Sequence, residues 1–86
     1  MHTVELLEQA ILLAERCGFI VRQDWFGGLT AGGCELKGRR WMLIDLSLTA
    51  PEQLAQVTSA LQSLPIPDEI PIPPQLRESL KLRRAA

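Results

Sequence analysis

The fold of this chain is decided by residues 34–46, which read Cys34-Glu35-Leu36-Lys37-Gly38-Arg39-Arg40-Trp41-Met42-Leu43-Ile44-Asp45-Leu46. Two extended segments flank Lys37-Gly38, and glycine supplies the positive backbone angle that a tight hairpin turn requires. The second segment, from Trp41 to Leu46, is almost continuously apolar, which is typical of a strand buried on both faces. We therefore predict a hairpin whose second strand is central in a sheet and is covered on both faces or lies at an oligomer interface.

Helices are predicted on both sides of this hairpin. Between Thr3, which can cap a helix, and Gly18, which fits the left-handed position past a helix end, apolar residues recur at steps of three and four. Residues 49–52 read Thr-Ala-Pro-Glu, a capping box that begins a second helix, and Pro65 ends it. Phe19 to Phe26 favours a further strand because its apolar residues prefer extended structure.

The C-terminal part of the chain has a different composition. Residues 65–74 include five prolines and should be extended and stiff. Residues 75–84 carry too few apolar positions for a helix that is stable alone, so this helix must dock on its own body or on another chain. We predict an α+β fold: a helix, a three-stranded antiparallel sheet and a helix, with a Pro-rich tail and a short C-terminal helix. Residues 1–65 form one α-β-β-β-α domain, and residues 66–86 form the tail.

Composition argues against several classes of function. The formal net charge is −1, whereas nucleic-acid modules show a basic excess, so no nucleic-acid partner is predicted. No segment approaches the ~20 apolar residues of a membrane span, and no secretory leader is visible, so we expect a cytoplasmic protein with no membrane contact. The two cysteines, with no Cys-x-x-Cys, indicate neither a disulfide framework nor a metal site, and no cofactor is predicted.

The candidate interaction surface is the glycine-flanked loop after the first predicted strand, together with the arginines of the hairpin. Aromatic residues and arginine dominate the energetics of protein interfaces. This loop opens into a strand rather than a helix, so it lacks the arrangement of a phosphate-binding loop. The candidate residues are Trp25, Phe26, Gly27, Gly28, Leu29, Gly32, Gly33, Arg39 and Arg40.

Cys34 and Asp45 are the remaining polar candidates. A catalytic thiol needs a nearby base, and the one histidine is His2, so Cys34 is predicted to be a buried packing residue, with a thiol enzyme or redox sensor as the alternative. An ionised carboxylate in an apolar strand needs a donor. We therefore predict that Asp45 ends its strand and caps a turn with Ser47, or makes a polar contact within an interface. No catalytic residue is predicted.

Three segments resemble a small uncharacterised bacterial family. They are residues 32–38, which read Gly-Gly-Cys-Glu-Leu-Lys-Gly, then Leu43-Ile44-Asp45, and the helix start at Pro51-Glu52-Gln53. The family's members share a glycine-rich loop, a cysteine, a basic-Gly hairpin and an apolar strand ending in Asp. The resemblance covers roughly residues 5 to 65. No activity is attached to the family, so the resemblance implies no catalytic residue.

Taken together, these patterns favour a non-enzymatic protein-interaction or structural module that forms a homo-oligomer, most simply a homodimer, or binds a protein partner. A domain of this size buries only about 60–65% of its unfolded surface, and a partner supplies further burial. We expect contact through the edge strand or the tail, by sheet extension or helix docking. The alternative is a small-ligand binding protein in which the loop of residues 27–33 closes over an aromatic-lined cleft.

Overall fold

The computed structural model describes residues 3–28, 32–63 and 66–84. These residues form, in chain order, α1 (Thr3–Arg16), β1 (Ile20–Asp24), β2 (Gly33–Leu36), β3 (Arg39–Asp45), α2 (Ala50–Gln62) and α3 (Pro74–Arg84). The α+β class and the order of helix, three strands, helix and short helix are confirmed. The first strand is shorter than predicted, since Phe19 precedes it and Trp25 and Phe26 follow it.

The β2–β3 hairpin forms where the sequence predicts it. β2 pairs antiparallel with β3, with Cys34 opposite Trp41 and Leu36 opposite Arg39. Both turn residues have positive φ, 53° at Lys37 and 77° at Gly38. This combination is typical of a type I′ turn, whose twist matches that of the two strands it joins.

The sheet is mixed, so the prediction of a purely antiparallel sheet is wrong. The strand order is β1-β3-β2, and β1 runs parallel to β3, with Ile20 opposite Trp41 and Asp24 opposite Asp45. Because β3 is apolar on both faces, it takes the central position, and β1 and β2 pair with its two edges. The chain reverses direction between β1 and β2 and again at the hairpin, so β1 and β3 point the same way. β1 and β2 therefore lie at opposite edges of the sheet.

The core lies between one face of this sheet and the helices. Met42 and Ile44 of β3 are fully buried and belong to the same cluster as Leu13 of α1 and Val57 and Leu61 of α2. Residues two apart on a strand point to the same face, so Met42 and Ile44 define the face of β3 that the helices cover. Trp41 and Leu43 consequently lie on the opposite face.

Local signals set the helix boundaries. Gly18, with a φ of 96°, follows α1, and the N–H of Phe19 donates to the carbonyl of Ala14 at 3.0 Å. This is the bond of a Schellman motif, and it places Phe19 in the core.

The predicted capping box at the start of α2 is present in full: the Thr49 hydroxyl accepts from the Glu52 N–H, and the Glu52 carboxylate accepts from the Thr49 N–H. The predicted helix end at Pro65 lies outside the described residues.

The C-terminal helix packs on the body of its own chain. Leu76 and Leu80 of α3 are almost completely buried and join the core cluster, and α3 contacts both α1 and α2. Three isoleucines in the connection between α2 and α3 also pack against that cluster: Ile66, Ile70 and Ile72. The weak amphipathic pattern of residues 75–84 is therefore sufficient because α1 and α2 provide the apolar surface on which it docks.

A close approach between β2 and α2 occurs at Gly33. A Cβ at this position would lie 3.0 Å from the Cβ of Ala60 and 3.9 Å from the ring of Phe19. We expect Gly33→Ala to lower the free energy of unfolding by about 1–3 kcal/mol, because the added methyl overpacks this contact. Urea unfolding measures the change, with Glu35→Ala on the same strand as the exposed control. Equal losses in the two variants would contradict the close packing.

Candidate functional site

The carboxylate of Asp45 connects the segment after β1 to the turn after β3. Asp45 is fully buried at the end of β3. It accepts hydrogen bonds from the backbone N–H of Phe26 at 3.0 Å and from the N–H of Gly28. It also accepts from the N–H and the hydroxyl of Ser47, at 2.9 and 2.6 Å. The predicted cap with Ser47 is confirmed, and the two bonds from the glycine loop are additional contacts that sequence reasoning missed.

These donors decide the charge of the Asp45 carboxyl. Burial by itself raises the pKa of Asp45, but the hydrogen bonds from the Ser47 hydroxyl and from the N–H groups of Phe26, Ser47 and Gly28 outweigh it and lower the pKa to about 2. A general acid or base works best with a pKa near the working pH. This carboxylate therefore acts as an ionised structural anchor for the loop rather than as a proton-transfer group.

The four glycines of the loop have different structural roles. Gly27 and Gly28 have φ angles of 65° and 78°, a left-handed backbone that brings the Gly28 N–H to Asp45. Gly32 is buried, and a Cβ there would lie 3.3 Å from the carbonyl oxygen of Gln56 on α2. Gly33 faces Ala60, as described above. Gly32 and Gly33 therefore face α2, whereas Gly27 and Gly28 lie on the surface.

The two aromatic residues of the loop are placed differently. Trp25 is 70% exposed, and its backbone N–H donates to the Asp24 carboxylate at 2.7 Å. Phe26 is half-buried beside Asp45. Trp25 is therefore the exposed residue of this pair. Leu29, the remaining candidate of the loop, lies outside the described residues.

The sheet face opposite the helices is apolar. We define the open sheet face by its apolar residues Ile20, Cys34, Leu36, Trp41 and Leu43, which the strand register places on the side away from Met42 and Ile44. Exposed Arg22, which is opposite Leu43, lies on the same side. Leu36 and Cys34 are exposed and the other three are half-buried. None of the five belongs to the core cluster or packs against it. In the described part of the chain, the helices therefore cover β3 on one face only.

The two candidate arginines lie on opposite faces of β3. Arg39 is opposite Leu36 and borders the open sheet face, whereas Arg40 is opposite Glu35 on the side of the helices. At the other end of the same face, Asp24 lies 3.4 Å from Arg22 and is half-exposed. The open sheet face consequently has Arg39 at one end and the Arg22–Asp24 ion pair at the other.

The two cysteines are free thiols in different surroundings. Cys34 is exposed, so the prediction of a buried packing residue is wrong. β2 is an edge strand, and none of the helices in the described ranges covers this side of it. Cys17 is half-buried, and burial raises the pKa of its thiol although Arg40 opposes the shift. Among the residues that the structure describes, no three His, Cys, Asp or Glu side chains converge on a possible metal site.

One cleft reaches the end of the glycine loop. It has a volume of about 330 Å³ and lies between β2 and α2, with Phe19, Gly33, Arg40 and Ser59 among its lining residues. Phe19 is the one aromatic residue in its lining, and neither Gly27 nor Gly28 contributes. Binding of a small ligand under this loop therefore stays a prediction, and the cleft between β2 and α2 does not support it.

No protein-family model, curated protein or solved structure matches this chain. The resemblance to a bacterial family thus gains no support from these comparisons, and the candidate site rests on its geometry. None of the helices formed by residues 3–28, 32–63 and 66–84 is long and apolar enough to cross a membrane.

The predicted interaction surface does not include four residues of the open sheet face: Ile20, Leu36, Trp41 and Leu43. Their apolar character is visible in the sequence, but the face to which each points depends on the pairing of β1 with β3. The signal in the sequence is that successive side chains of a strand point to opposite faces, which places Trp41 and Leu43 on one face of β3 and Met42 and Ile44 on the other. The pairing of β1 and β2 with β3 then assigns their residues to the same two faces.

Proposed function

We propose that this chain is a non-enzymatic protein-interaction module that self-associates through the open sheet face. The observation that carries the proposal is the contrast across β3. Met42 and Ile44 are fully buried against the helices, whereas Trp41 and Leu43 lie outside the core beside exposed Leu36. A contiguous apolar patch on the surface of a folded domain commonly marks an interaction site.

A second copy of the chain fits the charges around this face. Arg39 lies at one end of the face, and the ion pair of Arg22 and Asp24 lies at the other. A two-fold axis that sets the two β3 strands antiparallel, face to face, brings Arg39 of each copy toward the Asp24 carboxylate of its partner, whose charge Arg22 of that partner offsets in part. With a formal net charge of −1, the copies repel each other little.

The size of the face predicts a weak dimer. Three strands about 4.8 Å apart, with about 3.3 Å of rise per residue, present a flat area of roughly 300 Å². Exposed Trp25 at the end of β1 can add to this area. A standard interface buries about 800 Å² per partner, so we expect association in the micromolar range or weaker.

The test compares two exposed leucines that receive the same change. Leu36 on the open sheet face is 56% exposed and Leu12 on α1 is 58% exposed, so neither substitution should disturb folding. We expect the native chain and Leu12→Glu to dimerise with increasing concentration, and Leu36→Glu to weaken the dimer at least about tenfold because a charge is buried in the contact. Light scattering coupled to size-exclusion chromatography measures the mass.

Two results would contradict the proposal. A native chain that stays monomeric at about 500 μM would show that self-association is too weak for the proposed function. A dimer that survives Leu36→Glu uses another surface, such as the backbone edge of β2, where a side-chain charge leaves the strand-pairing groups intact.

A further inference from the structure

The cleft between β2 and α2 brings polar groups of opposite charge together beside an apolar wall. Its volume is about 330 Å³. Glu35, Arg40 and Ser59 are among its polar lining residues, and all three are exposed, so an incoming molecule can reach them. Phe19 and Ala60 contribute the apolar wall. Ligand-binding clefts combine apolar surface with a few polar groups that fix the orientation of the ligand.

Glu35 and Arg40 lie opposite each other on neighbouring strands, on the side of the helices. The Leu43 N–H donates to the Gly32 carbonyl at 2.9 Å, and hydrogen-bonded and non-hydrogen-bonded pairs alternate along an antiparallel ladder. Glu35 and Arg40 therefore form a non-hydrogen-bonded pair, in which the Cα atoms are about 4.5 Å apart. Neither side chain forms an ion pair or a hydrogen bond with another residue in the described part of the chain. The cleft thus offers a guanidinium and a carboxylate, close together, to a ligand that carries both charges.

The Ser59 hydroxyl on α2 supplies a further donor. The hydroxyls of Thr58 and Ser63 on the same helix donate to backbone carbonyls of the preceding turn, at 3.0 and 2.6 Å. The Ser59 hydroxyl makes no such bond and has no other partner among the residues that the structure describes. It is therefore available to donate to an anionic group held in the cleft.

We infer that this cleft binds a free α-amino acid with an apolar side chain. The carboxylate of the ligand accepts hydrogen bonds from the Arg40 guanidinium and the Ser59 hydroxyl, and its ammonium group donates to the Glu35 carboxylate. The side chain of the ligand lies against the ring of Phe19 and the methyl group of Ala60. Arginine suits this role because its planar guanidinium can hold a carboxylate with two hydrogen bonds.

The spacing of the two charges selects an α-amino acid. Such a ligand carries its carboxylate and its ammonium group on the same carbon atom, which matches two residues about 4.5 Å apart on neighbouring strands. A ligand with a single charge leaves either Glu35 or Arg40 without a partner. This site differs from the predicted one under the glycine loop, because neither Gly27 nor Gly28 lines the cleft. It also does not rest on self-association, because the cleft lies on the helical side of the sheet and not on the open sheet face.

The experiment titrates the ¹⁵N-labelled full chain with L-leucine at neutral pH and follows amide shifts by NMR. We expect saturable shifts at Gly33, Glu35, Arg40 and Ser59, with a dissociation constant of about 1 mM for so small a ligand. Three matched probes each change one feature. Leucinamide lacks the carboxylate, N-acetyl-leucine lacks the ammonium group, and 6-aminohexanoate carries both charges but holds them far apart. Each should bind at least about tenfold more weakly.

Three variants at exposed positions assign these preferences to their side chains. Arg40→Gln should bind leucine and leucinamide equally, and Glu35→Gln should bind leucine and N-acetyl-leucine equally. Arg39→Gln changes an exposed arginine on the opposite face of β3 and, as the matched control, should retain the native preferences. Absence of saturable shifts up to about 10 mM leucine would overturn the proposal. So would equal binding of leucine and the three probes by the native chain, or an unchanged preference for leucine over leucinamide in Arg40→Gln.

Discussion

Asp45→Ala is expected to lower the thermal midpoint of unfolding by about 10 °C or more. Alanine removes both oxygens that accept from the N–H groups of Phe26, Gly28 and Ser47, so the glycine loop loses its attachment to the end of β3. Ser47→Ala is the matched control, because it removes only the hydroxyl donor and leaves the three backbone donors in place. Circular dichroism measures both midpoints. Equal midpoints for the two variants would show that the carboxylate does not anchor the loop.

The same carboxylate predicts a pH dependence of stability. The pKa of Asp45 is about 2 in the folded chain and 3.8 in a chain without these contacts. A lowered folded-state pKa means that the ionised group stabilises the fold fully above about pH 4 and loses this contribution as the pH falls toward about 2. Asp45→Asn cannot titrate. The difference in free energy of unfolding between the native chain and Asp45→Asn should therefore shrink over that interval, and a constant difference would contradict the lowered pKa.

Leu76→Ala is expected to lower the free energy of unfolding by about 2–5 kcal/mol. Leu76 of α3 is fully buried within the cluster that also holds residues of α1, α2 and β3. Its removal leaves a cavity that these packed elements can fill only in part. The exposed neighbour Gln75 provides the control, since Gln75→Ala lies on the outer side of the same turn and should change stability little. Urea unfolding followed by circular dichroism gives both values.

The comparison of Leu76→Ala with Gln75→Ala tests whether α3 packs on the rest of the domain. A large loss for Leu76→Ala with little change for Gln75→Ala means that α3 packs on its own chain in solution. Similar small losses for the two variants would mean that the core is complete without α3. Residues 66–86 would then behave as the tail that the composition suggests.

Several elements were predictable because their signals are local. The hairpin turn at Lys37-Gly38, the left-handed Gly18 and the capping box at residues 49–52 each depend on a few neighbouring residues. The polar role of Asp45 with Ser47 is of the same kind, since the two residues are only two positions apart. The residues that make such contacts are neighbours in the chain, so a single sequence is enough to find them.

The candidate site was less predictable because it depends on distant pairs. The bonds from Phe26 and Gly28 to Asp45 join residues far apart in the chain, and they form because residues 26–28 lie beside the end of β3. The exposure of Cys34 has the same origin, since it depends on β2 being an edge strand with one uncovered face. No local pattern around Cys34 distinguishes a buried from an exposed position.

By itself, the sequence determined the α+β class, the order of the elements, the hairpin and the central strand. These follow from short-range backbone preferences and from the apolar pattern of residues 41–46. Only the tertiary structure decided the parallel pairing of β1 with β3, the docking of α3 and the face that stays open. The sheet is mixed because β1 pairs with β3 and not with β2, and that choice of partner depends on packing across the whole domain. Alternation shows that a strand has two different faces, but the helices decide which of them is buried.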